Sequence, residues 1–87
     1  MAEKKITLAV GGEELNFAVT IENYNRYVNE LKVDDKVSPS LRFVRRSLAD
    51  PEQREKLDGL CDSGLAIDIA GALVEEFRPK VEIEVKK

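Results

Sequence analysis

Eighty-seven residues supply one modest hydrophobic core, and 43% apolar against 36% charged residues is the balance of a chain that folds in water. The longest apolar runs fall far short of the ~20 residues that cross a bilayer, and the opening MAEKKITLAV lacks the apolar centre of a secretory signal, so a single α+β domain over 1–87 in the cytoplasm is expected. A net charge of −3, spread along the chain, opposes a nucleic-acid footprint, and one cysteine with no histidine leaves no internal disulfide and no Cys/His metal cluster.

Ile6, Leu8 and Val10 alternate with Thr7 and Ala9, the period of a half-buried strand, and Leu15, Phe17 and Val19 resume it after Gly11-Gly12. Two glycines free to take positive φ suit a tight hairpin, so residues 5–10 and 14–19 are predicted to pair antiparallel. A phosphate-binding reading of Gly11-Gly12 fails, because no Lys-Ser/Thr and no helix follow directly.

The period then lengthens. Thr20 is a good N-cap for a helix over Ile21–Leu31, where Ile21, Tyr24, Val28 and Leu31 recur at helical spacing with Tyr27 beside them. The two tyrosines read as half-buried packing residues with their hydroxyls in water. Lys32 to Val37 is a polar connector; Asp34 and Asp35 lack the spaced oxygens and turn glycine of a calcium loop.

Ser38-Pro39 signals a helix start, and the helix is expected from Pro39 to Leu48 with Leu41, Val44 and Leu48 inward. Arg42, Arg45 and Arg46 then lie mainly on the other side with Phe43 between them, the chain's one basic cluster. A solvated face is the favoured reading, followed by contact with an acidic protein surface and last by contact with phosphate. Asp50-Pro51 repeats the start signal for a short charged helix over 51–60, with Leu57, Leu60 and Cys61 as its apolar edge.

Ser63 to Phe77 is the richest apolar stretch. Leu65, Ile69, Leu73 and Phe77 fall four apart, Asp62 or Ser63 can cap the first amides, and Pro79 prevents continuation. Burying six of its large side chains contributes ~1.5 to 3 kcal/mol each, which makes this the expected anchor helix. KVEIEVKK then alternates strictly, placing Val81, Ile83 and Val85 on one face. The reading is a strand over 80–86 that pairs with the hairpin to make a three-stranded sheet packed against about four helices; pairing with another subunit or another protein remains open.

Chemistry is sparse. No Ser-His-Asp or Cys-His set and no nucleotide fingerprint occur, Cys61 reads as a small buried hydrophobe, and Glu75 and Glu76 diverge on their helix. No catalytic, cofactor-binding or metal-binding residue is expected, and the protein is read as not an enzyme.

Taken in order, ITLAVGGEELNFAVT, IENYNRYVNEL, DDKVSPSLRFVRRSL, AGALVEEF and KVEIEVKK resemble the small tail assembly chaperones of tailed bacteriophages. The resemblance implies a non-catalytic protein, encoded by a phage or prophage, that binds the tape measure protein in the host cytoplasm and keeps it soluble until tube subunits polymerise. It implies absence from the finished virion, and a longer frameshifted form that recruits the tail tube protein. No motif of the family assigns contact positions; Tyr27, Arg42, Phe43, Arg45 and Arg46 are the candidate partner-binding residues because aromatic and arginine side chains suit interfaces. Neither a membrane nor a nucleic acid is an expected partner, and self-association is left open. A small DNA-binding regulator, built on the arginine-bearing helix between two proline-marked starts, and a structural virion subunit, oligomerising through the terminal strand, are the competing readings.

Overall fold

The computed structural model describes residues 2–87. Strands β1 (Glu3–Val10) and β2 (Glu13–Thr20) pair antiparallel from Glu3↔Thr20 to Val10↔Glu13. Gly11 and Gly12 close the hairpin with φ of 57° and 84°, the left-handed geometry that a two-residue loop needs to match strand twist. The predicted alternation holds: Ile6, Leu15, Phe17 and Val19 are buried on one face.

The outer edge of β2 is closed by a loop instead of a strand. Asn16 N–H donates to Gln53 Oε1 at 2.8 Å, Asn16 C=O accepts from Ala49 N–H at 2.8 Å, and Gln53 Nε2 donates to Glu14 C=O at 3.2 Å. The Gln53 amide therefore does the work of a peptide group in an added strand.

Helix α1 (Ile21–Glu30) begins at the expected cap, with Thr20 Oγ1 accepting from Asn23 N–H at 3.1 Å. Helix α2 (Val37–Ser47) starts two residues before Pro39; its N-cap is Lys36, which makes no side-chain cap, while Asp35 Oδ1 accepts from Ser38 N–H at 3.4 Å. Its inward line is also displaced: Ser40, Phe43, Val44 and Ser47 are buried, while Leu41 and Leu48 are half-buried.

Asp50 Oδ1 accepts from Glu52 N–H at 3.0 Å and launches a 3-10 turn over Pro51–Gln53, which continues into α3 (Arg54–Leu60). A π-turn over Cys61–Leu65, bent at Gly64 with φ 95°, joins α3 to α4 (Ala66–Phe77). Ser63 is not the N-cap of α4; its hydroxyl donates back to Gly59 C=O at 3.1 Å, as a serine inside a helix does. The α3–α4 segment is thus one bent body, and three helical bodies follow the hairpin where about four helices were expected. Ile69, Ala70 and Leu73 of α4 join Leu57, Phe43, Val44 and the buried face of the hairpin in one core.

The expected third strand is absent. Residues 79–87 have no regular structure, and Val81, Ile83 and Val85 are 65%, 88% and 86% exposed. Two features account for this. Ala49 and Gln53 already occupy the edge of β2, and Arg78 leaves α4 with an extended backbone (φ −75°, ψ 135°) into Pro79, so the helix ends there without a reversal.

Candidate partner-binding surface

Tyr27 decides which side of α1 faces the core. Its ring stacks on Phe43 at a centroid distance of 4.6 Å, and its hydroxyl is 2.9 Å from Ser40 Oγ in the interior. Neither ring offers a contact surface: Phe43 is fully buried and Tyr27 nearly so. The hydroxyl expected in water is instead paired inside, as a buried phenol requires.

At about 100° per residue, Ile21 and Val28 lie about 120° and 100° round α1 from Tyr27, with Tyr24 between the two lines. Tyr24 meets Phe77 at the end of α4, with ring centroids 5.3 Å apart, but Ile21 and Val28 are each 45% exposed. Leu31, at the end of the same helix, and Val33 and Val37, in and after the connector, are exposed as well. Apart from Tyr24, the stripe marked by periodicity is therefore an uncovered apolar flank beside the exit of the tail. Its spacing was legible in the sequence, whereas its exposure depends on the Tyr27–Ser40 pair.

The three candidate arginines separate into two groups. On the opposite flank of α1, Glu30 receives Arg26 and Arg42, each at 3.4 Å, and Arg46 at 3.7 Å. Arg45 points elsewhere, to Asp58 of α3 at 3.1 Å, which Arg54 also holds at 3.2 Å. Partial burial opposes the charge on Glu30, but Arg42 and its neighbours outweigh it and hold the carboxyl below its ordinary value. Burial, together with the nearby Arg26 and Arg42, lowers Arg46, and its Nε and Nη2 find no hydrogen-bond partner among the described residues. Three guanidinium groups around one carboxylate leave this corner cationic in a protein that is acidic as a whole.

Cys61 lies in the π-turn, half-buried against the core, where burial pushes its thiol up; the nearby Arg45 only partly offsets that, and Asp58 and Asp62 add to it. No group of three or more His, Cys, Asp or Glu side chains able to hold a metal occurs among the described residues, and no helix there is long and apolar enough to cross a membrane. An apolar groove of about 200 Å³ runs between β1 and α4, with Leu8 and Val10 on one wall and Leu65 and Ile69 on the other.

No curated protein and no solved structure matches this chain. The model of one protein family, described as phage tail assembly chaperone, matches residues 6–87, from the middle of β1 through the tail. With nearly the whole chain inside that match, the protein belongs to the phage tail assembly chaperone family.

Proposed function

We propose that this chaperone binds the tape measure protein without catalysis and keeps it soluble during tail morphogenesis. The observation that carries the reading is the apolar flank of α1, where Ile21, Val28 and Leu31 lie uncovered at helical spacing. A long helical client exposes apolar faces before the tube forms around it. A short apolar stripe can cover one such face and exclude other collisions, and its limited area keeps the complex weak enough for tube subunits to displace it.

Arg42, Arg45 and Arg46 supply polar contacts near this helix pair. Arg42 and Arg46 sit in the surplus positive charge around Glu30, which favours acidic residues on the client. Tyr27 and Phe43 support that surface from beneath without forming part of it: their stack sets the spacing of α1 and α2. The work takes place in the host cytoplasm before the virion is complete, and a longer frameshifted form would bring in the tail tube protein.

Co-expression of the tagged chain with the tape measure protein tests this reading. Co-purification of the two, with no shift of duplex DNA at low salt, is the expected result. Salt-sensitive duplex binding without co-purification would instead indicate a DNA-binding regulator, and recovery of the chain from purified particles would indicate a structural subunit.

A further inference from the structure

We propose that the free edge of β1 receives the C-terminal tail of a second copy, residues 80–86, as an antiparallel strand, so that two chains close into a dimer by reciprocal exchange. The first observation concerns the sheet. Because the backbone N–H and C=O of Asn16 both point away from β1, to Gln53 and Ala49, the Thr7–Asn16 pair is one of the ladder's pairs without mutual hydrogen bonds. The N–H and C=O of Thr7 therefore point outward from the opposite edge, and by alternation so do those of Glu3, Lys5 and Ala9. These backbone groups have no partner among the described residues. One edge of the hairpin is closed by Gln53; the other is an open template.

The second observation concerns the tail, whose pattern fits that edge. Set antiparallel with Lys5 opposite Glu84, the register places Lys86 opposite Glu3 and Glu82 opposite Thr7, which makes two opposite-charge pairs and sets one carboxylate against a hydroxyl. The other face then sets Val81 beside Leu8, at the mouth of the apolar groove between β1 and α4, and Ile83 beside the buried Ile6. Two side chains that stand exposed in the single chain, Val81 and Ile83, would gain cover together.

The route of the chain selects a second copy as the source. Lys4 Nζ donates to Glu76 C=O, so α4 ends next to the start of β1. A tail folding back on its own hairpin would have to run parallel to β1 after reversing within Arg78-Pro79, and Arg78 is extended there. A tail arriving from another copy is free to run antiparallel, and because both halves of the interaction lie on one chain, two copies satisfy each other under two-fold symmetry. This surface is separate from the α1 flank and does not depend on the identity of the client.

Single-cysteine chains in a Cys61→Ser background test the pairing. Mixing the Lys5→Cys chain with the Glu84→Cys chain under mild oxidation is expected to give a covalent heterodimer, with an unoxidised parent whose mass in sedimentation rises toward the dimer with concentration. Glu82→Pro, placed in a tail that packs on nothing in the single chain and removing an N–H that this register aims at Thr7 C=O, should leave the thermal melt unchanged and weaken association by about 100-fold. The proposal is overturned by a chain that stays monomeric, by a chain carrying both Lys5→Cys and Glu84→Cys that closes only on itself, or by a dimer indifferent to Glu82→Pro.

Discussion

Tyr27 Oη and Ser40 Oγ meet at 2.9 Å in the interior, and this contact between α1 and α2 orients the helix that the proposed client would meet. Removing one partner leaves the other polar and buried. Tyr27→Phe should therefore destabilise by ~1 kcal/mol, and the Tyr27→Phe/Ser40→Ala double variant by less than the sum of the single changes. Urea unfolding of the four proteins measures the coupling.

Phe43 separates support from contact. Its ring is fully buried against Tyr27, so Phe43→Ala should cost ~3 to 5 kcal/mol, a large part of what a domain of this size holds. Arg42→Ala and Arg46→Ala, at partly exposed positions, should leave the melting temperature within a few degrees of the parent while reducing client capture. Thermal melts and co-purification on the same proteins distinguish the two roles.

Asp58 gives the fold an acid-sensitive brace between α2 and α3. Partial burial disfavours its charge, but hydrogen bonds from Arg45 and Arg54 prevail and hold its carboxyl below the ordinary value of 3.8. The folded state thus releases this proton more readily than the unfolded chain. Its contribution is fully present above the unfolded value and is lost as pH falls through the folded one, so stability should rise with pH across the acid range. In Asp58→Asn that rise should be shallower, which urea titrations from neutral pH down to about pH 3 would record.

Cys61 should react slowly. Burial raises its thiol above the ordinary 9.0, so little thiolate is present at neutral pH. A disulfide reagent should modify the native protein much more slowly than the urea-unfolded chain, and equal rates would contradict the packing described for the π-turn.

The parts of the fold legible in the sequence are those with local causes. The hairpin followed from a period of two around Gly11-Gly12, the first helix from the Thr20 cap, and the anchor helix from its run of apolar positions ending before Pro79. What escaped depended on contacts distant in sequence. Gln53 closes the edge of β2 from 37 residues away, which no strand pattern reveals, and Tyr27 displaces a better apolar stripe because Ser40 can satisfy its hydroxyl. The basic cluster was visible as Arg42, Arg45 and Arg46, but its division between Glu30 and Asp58 depends on where α1 and α3 pack. The tail alternates as a strand should, and alternation specifies a face without naming the edge that covers it.

The most direct test is the fraction of tape measure protein that stays in the soluble lysate when it is co-expressed with the parent chain or with Ile21→Glu/Val28→Glu. Both side chains are nearly half exposed, so the two substitutions should leave the fold intact. If the α1 flank holds the client, the parent keeps the tape measure protein soluble and the double variant, folded by circular dichroism, lets most of it pellet. Equal protection by the two chains would contradict the account.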